Sequence, residues 1–232
     1  MGSQRPYTLL SCAMSVDGYI DDASAERLIL SNDADLDRVD LIRATCDAIL
    51  VGASTVRRDN PRLVVRSRIR RGDRVARSQP PSPVKVTLTR SGVLDPASHF
   101  FTVGDAPKLV YTASSAFTAL SASLDGLATV IDAGPDVALD WVLADLSARG
   151  VHRLMVEGGA AVHAEFLTAG LVDELQLVVA PFLVGDPAAP RFAGGGALAW
   201  PSGQRMTVAE VRKIDDVVLL RYLLTDRFEV PV

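Results

Sequence analysis

The chain has 232 residues, 48% of them hydrophobic and 22% charged, which is enough to bury a sizeable core, so residues 1–232 read as a single α/β domain. A formal net charge of −4 runs against a general nucleic-acid binder, whose electrostatic footprint is basic. Cys12 and Cys46 have neither CxxC nor zinc spacing, no apolar stretch reaches bilayer length, and Met1–Pro6 has no signal-peptide core; the expectation is a reduced, cytoplasmic protein with no membrane or metal partner.

In chain order, Tyr7 to Met14 is an apolar run that predicts a first strand, followed by a loop over 15–22. Ser31 or Asn32 can cap a helix from Asp33 to Thr45, on which Leu36, Val39 and Ile42 form one apolar stripe. Ala48 to Val51 and Val84 to Leu88 predict buried strands. Between them, Arg66 to Pro83 holds six arginines and then Pro80, Pro81 and Pro83, a composition that predicts an exposed loop over 66–83. Strands at 108–112, 128–132 and 152–156 alternate with helices at 115–121 and 137–149, and a further helix runs from Gly158-Gly159 to about Ala169. The C-terminal part has a different pattern, with strands at 175–179, 206–214 and 217–224, no helices between them, and a tight turn at Asp215-Asp216. The expected sheet is therefore mixed, parallel first and antiparallel at its C-terminal strands.

Three clusters can carry chemistry. Glu157-Gly158-Gly159 ends a strand and opens a helix; glycines let backbone approach a phosphate, and the helix N-terminus offers free N–H groups. The alternative is a tight turn that needs small residues. Gly52-Ala53-Ser54-Thr55 with Asp59-Asn60-Pro61 through Arg66 also follows a strand, so Thr55 and Asp59 are expected at the carboxyl edge with Glu157, and Arg66 can grip a phosphate through its planar guanidinium. Its alternative is an ordinary turn beside a solvated basic loop. Thr89-Arg90-Ser91 clusters hydroxyls and a guanidinium past a strand end, suited to a 2′-phosphate or to a plain polar turn. No GxGxxG follows the first strand, no tyrosine has a lysine four places later, and His99, His152 and His163 lack metal-ligand spacing.

Taken together, Ser15-Val16-Asp17-Gly18, Asp47 to Gly52 with Thr55, Asp59-Asn60-Pro61 through Arg66, Val156-Glu157-Gly158-Gly159 and Gly170 to Leu175 resemble the riboflavin-biosynthesis pyrimidine reductases. That family comprises the reductase domain of bacterial riboflavin biosynthesis proteins and the stand-alone archaeal and fungal diaminopyrimidine reductases. The resemblance implies a three-layer α/β/α fold like dihydrofolate reductase, a homodimer, and NADPH as hydride donor. It implies cofactor contacts at Thr55, Asp59, Thr89, Arg90, Ser91, Val137, Gly158, Gly159, Ala160 and Ala161. It implies that a phosphorylated sugar substrate is held by Arg43, Leu63, Arg66 and Glu157, with Glu157 orienting the substrate or assisting a proton transfer. The chain departs from the family pattern at Arg27, Ile29, Asp40 and Thr89, and it lacks the zinc motif of the pathway's deaminase. Two other readings stand beside it: a reductase of the same fold acting on a pterin-like or antibiotic precursor, and an inactive cofactor-binding paralogue.

Overall fold

Runs of β-branched and aliphatic residues form the strands, and the segments between them form helices that cover them. The structure is a computed structural model and describes residues 5–24, 28–192 and 203–227. Its elements are β1 (Tyr7–Ser15), α1 (Asp33–Thr45), β2 (Ala48–Gly52), α2 (Ala53–Asp59), α3 (Arg68–Ala76), β3 (Val84–Thr89), α4 (His99–Thr102) and β4 (Lys108–Thr112). They continue as α5 (Ser114–Ser123), β5 (Thr129–Asp132), α6 (Leu139–Ala148), β6 (Arg153–Gly158), α7 (Ala160–Thr168), β7 (Glu174–Ala180), β8 (Thr207–Ile214) and β9 (Val217–Leu223).

The nine strands are hydrogen-bonded in the order β5-β4-β3-β2-β6-β1-β7-β9-β8. β2, β3, β4 and β5 run parallel in sequence, β1 is parallel to β7, and β7, β9 and β8 pair antiparallel. This is the mixed sheet the sequence predicts, with the change to antiparallel pairing at the C-terminal strands. β2 is buried along its whole length, as parallel strands covered on both faces are, and its sequence AILVG is accordingly apolar without alternation. The β8–β9 hairpin turns through Asp215, at φ 52° in the left-handed region that such turns require. Among the described residues no helix is long and apolar enough to cross a membrane.

Contacts group the chain into two compact units, one formed by Asp40–Met155 and the other by Tyr7–Val39 with the residues from Val156 onward. The first unit is built on β2 to β5, with Ile49, Leu50, Val86, Val110, Phe100, Leu124 and Leu143 buried. The second is built on β1, β7, β9 and β8, with Leu9, Leu10, Phe166, Val178, Val217 and Leu219 buried.

Two local expectations are corrected. The stretch 66–83 is not a loop throughout: α3 occupies Arg68–Ala76, capped by Ser67, whose hydroxyl accepts from the Arg70 N–H. The physical reason is Arg74, 1% exposed, whose guanidinium donates to the backbone carbonyls of Ala44, Cys46 and Pro80 and ties the basic helix down. Composition registers Arg74 as one more solvated charge. The Asn32 cap on α1 is present, its Oδ1 accepting from Asp35 N–H at 2.8 Å. The stripe of Leu36, Val39 and Ile42, however, is only half-buried. The residues α1 buries fully include Asp35, Arg38 and Asp40, because each finds polar partners: Arg38 donates to Asp35 at 2.7 Å and also to Gln176.

The Gly170 to Leu175 motif supplies two more buried carboxylates. Asp173 accepts from Thr8 N–H, Thr225 Oγ1 and Arg227, and Glu174 accepts from Tyr7 Oη, Gln176 Nε2 and Arg221. Burial raises the Glu174 carboxyl, but the Arg221 guanidinium and the other donors outweigh it and hold Glu174 below the ordinary carboxylate range.

Candidate active site

In the first unit the parallel register of β2 to β5 puts their carboxyl ends along one edge. Open α/β sheets present ligand sites at such an edge. α2 follows β2 without a break and carries Thr55 and, as its last residue, Asp59, both half-buried. Thr89 closes β3, and its hydroxyl accepts from Gly92 N–H at 3.0 Å, folding the Thr89-Arg90-Ser91 turn with Arg90 and Ser91 exposed. Facing this turn is α5, which leaves the end of β4. Turn and helix flank an open cavity of about 440 Å³ lined by Arg90, Ser91 and Gly92 on one side and Ser115, Ala116, Ala119, Leu120 and Ser123 on the other. Gly92 is a glycine for two reasons: its φ is +69°, and a Cβ there would stand 2.9 Å from the Ala116 Cβ. Val137, between β5 and α6, is buried at φ 53°, a conformation that costs a β-branched residue on the order of 1–3 kcal/mol and is concentrated at ligand sites.

The segment after α2 is clamped from several sides. Asn60 is left-handed and its Oδ1 accepts from His99 N–H. Leu63 is buried at φ 47°. Arg43, near the end of α1, donates to the Val64 carbonyl at 3.3 Å; Ser82 Oγ accepts from Val65 N–H at 3.0 Å, and Arg71 donates to the Val65 carbonyl at 3.2 Å. Arg66 follows with its guanidinium half-exposed. Arg43 thus meets the same short stretch of backbone that carries Leu63 and Arg66, although β2 and α2 separate them in the chain.

In the second unit Glu157 is half-buried near the end of β6, followed by Gly158 at φ 121° and Gly159 at φ 90°. α7 starts at Ala160, so Gly159 and the first residues of the helix present N–H groups that the helix itself does not use. Gly158 combines a φ that L side chains rarely adopt with a tight approach to its neighbour, since a Cβ there would stand 3.1 Å from the His163 imidazole. His163 is buried with its ring 5.5 Å from that of Phe192, and burial pushes its pKa down to about 4. The loop after β1 is held by Asp17, which accepts from Ser15 Oγ, Val184 N–H and Gly185 N–H, accounting for the Ser15-Val16-Asp17-Gly18 motif. Of the departures, Ile29 is 76% exposed, and Arg27 lies outside the described residues.

The buried histidine has a consequence for stability. The unfolded chain takes a proton on His163 near pH 6.5, and the folded chain only near 4. The folded state therefore carries no penalty above the higher value and loses stability as pH falls through this window, about 2 kcal/mol at pH 5. Chemical denaturation of His163→Gln should show a pH 7 to pH 5 loss smaller by that amount; an unaltered loss would rule out a buried neutral imidazole.

Sequence reading missed the α5 wall of the cavity and the carboxylate of Asp40. The run Ser114-Ser115-Ala116 directly after a strand end, with Ala119 one turn on, was the available signal for the first. One aspartate among the four on α1 offers none for the second.

Comparison with known proteins gives a consistent picture. A family model described as the RibD C-terminal domain matches residues 6–220. The 2,5-diamino-6-ribosylamino-4(3H)-pyrimidinone 5′-phosphate reductase of Methanothermobacter thermautotrophicus is 38% identical over 193 residues, 82% of this chain and 85% of that protein. The protein of the same name from Aquifex aeolicus is 34% identical over 198 residues, covering 83% of this chain and 84% of that one. The RibD protein of Acinetobacter baumannii superposes with a TM-score of 0.77 at 26% identity over 97% of this chain and 60% of its own. A pyrimidine reductase-like protein from Corynebacterium diphtheriae shares the fold with a TM-score of 0.81 at 22% identity, over 96% of this chain and 93% of that one. With a family match over nearly its whole length and a relative 38% identical across most of both chains, the chain belongs to the RibD C-terminal domain family.

Proposed function

We propose that the protein is an NADPH-dependent reductase that converts a ribosylamino-pyrimidine 5′-phosphate to the ribitylamino-pyrimidine 5′-phosphate in riboflavin biosynthesis. The observation that carries this reading is the 38% identity to a reductase of that substrate class over 82% of the chain. Bound NADPH would supply a hydride to C1′ of the substrate once its ribosylamine has opened to the imine. The chain's own residues then have three tasks: to hold the two partners in contact, to exclude water and to support the proton that reaches nitrogen.

The cavity beside Thr89-Arg90-Ser91 suits the adenosine end of the cofactor. Arg90 and Ser91 offer donors for a 2′-phosphate, while Ala116, Ala119 and Leu120 offer an apolar wall of the kind that accepts a base. Thr55, Asp59 and Val137 belong to the same unit's carboxyl edge and are read as further cofactor contacts. Gly158, Gly159, Ala160 and Ala161 are assigned to the cofactor's phosphates, on the strength of the two left-handed glycines and the helix start. Arg43, Leu63 and Arg66 are assigned to the sugar phosphate, and Glu157 to the reacting part of the substrate.

Arg90→Ala tests the choice of NADPH. Loss of one charge-assisted phosphate contact, about 1.5–3 kcal/mol, is expected to raise KM for NADPH roughly tenfold to a hundredfold and leave KM for NADH unmoved. Equal effects on both cofactors would place the 2′-phosphate elsewhere. Assays with the ribosylamino-pyrimidine phosphate beside dihydrofolate separate this function from a pterin-directed one.

The homodimer is assigned to the outer face of the β8–β9 hairpin. There the register puts Val208 opposite Tyr222 and Val211 opposite Leu220, with Val218 next along the same face. Val208 is 59% and Val211 65% exposed, an apolar surface that a second copy would cover. Val211→Glu is expected to convert the dimer to a monomer in light scattering; an unchanged mass would move the interface to another face.

A further inference from the structure

Asp40 sits in the second half of α1 with its carboxylate 1% exposed. Its partners come from the segment that carries Arg66. Its Oδ1 accepts from the Arg66 backbone N–H and lies 3.7 Å from Arg66 Nε; its Oδ2 accepts from Ser67 N–H at 3.1 Å and from Arg70 Nη1 at 2.9 Å. One buried anion therefore fixes two consecutive peptide N–H groups and faces two guanidinium groups. Burial raises the carboxyl, but donation from Arg66 N–H, Arg70 and Ser67 N–H outweighs it and holds Asp40 below the ordinary carboxylate range. The preceding residue, Val65, is held by Ser82 and Arg71, and Val64 by Arg43, so the backbone leading to Arg66 is fixed by these side chains and the peptide N–H groups on either side of the Arg66 Cα by Asp40.

The Arg66 guanidinium remains half-exposed, whereas its Nε side is turned toward the anion. A guanidinium oriented through its Nε in this way loses less side-chain freedom when it binds an anion. We propose that Asp40 is a positioning residue for substrate, which orients Arg66 for the substrate's phosphate without touching the phosphate itself. The proposal rests on the assignment of Arg66 to the phosphate made above.

The test compares kcat/KM for the phosphorylated substrate with that for its dephosphorylated nucleoside, in Asp40→Asn, Arg66→Ala and the double variant. Arg66→Ala is expected to lower this ratio by about tenfold or more, Asp40→Asn to lower it by about tenfold, and the double variant to lower it no further than Arg66→Ala alone. If Arg66→Ala collapses the ratio and Asp40→Asn leaves it within about twofold, the inference fails while the phosphate assignment stands. If Arg66→Ala itself leaves the ratio intact, the assignment fails and the inference with it. A further loss in the double variant would show that Asp40 acts independently of Arg66 and would also overturn it. Should Asp40→Asn not fold, Asp40→Glu keeps the charge and displaces it, and the same fall in ratio is expected at smaller amplitude.

Discussion

Replacing Arg74 with methionine should lower the free energy of unfolding by about 4 kcal/mol and the melting temperature by roughly 10 °C. The guanidinium is 1% exposed and donates to three backbone carbonyls, Ala44 and Cys46 around the end of α1 and Pro80 beyond α3. Methionine fills a similar volume, so the cavity contribution is small and the loss comes from the acceptors left without this donor, each costing on the order of 1–3 kcal/mol. Arg77 lies one turn further along and is exposed; its replacement by methionine should stay within about 0.5 kcal/mol. Thermal unfolding of the two variants side by side decides the matter. Equal small shifts would mean that the 68–76 helix is held by something other than Arg74.

The second large effect falls on catalysis. Glu157→Gln keeps the size of the side chain and its ability to hydrogen-bond, yet removes its charge and its capacity to exchange a proton. If Glu157 assists protonation of the substrate nitrogen, kcat should fall about a hundredfold, at the lower end of what a positioned acid or base contributes. If it only orients the substrate, the loss should appear in KM, and the acidic limb of the kcat/KM profile should keep its shape. A kcat/KM within about twofold of the parent would remove Glu157 from the reaction altogether.

Much of the architecture was legible because it depends on periodicity, which is local. β2, β3 and β4 are short apolar runs ended by Gly52, Thr89 and Thr112, and the pattern placed each within a residue or two. The antiparallel C-terminal strands were readable from the absence of helices between them. α3 was not, because its sequence RIRRGDRVA has the composition of a solvated loop, and only the carbonyls that gather around Arg74 make the helix stable. α1 was located correctly and its buried side misjudged: a helix usually buries its apolar stripe, but here Asp35, Arg38 and Asp40 find partners that make their burial tolerable.

The candidate site divides along the same line. Glycines at 158 and 159, hydroxyls and a guanidinium at 89–91 and an acid at 157 are chemical facts of the chain. So is the ordered set of motifs that tied it to its family. By itself the sequence therefore determined the fold class, the family and the kinds of groups on offer, because these follow from residue type and short-range spacing. Tertiary structure alone decided that α5 walls the cavity beside Arg90, that Arg43 reaches the Val64 carbonyl, and that Asp40 holds the peptide N–H groups on both sides of the Arg66 Cα. The contacts of Arg43 and Asp40 join residues 21 to 30 positions apart, and their stability comes from satisfying buried polar groups, a condition that no local pattern encodes.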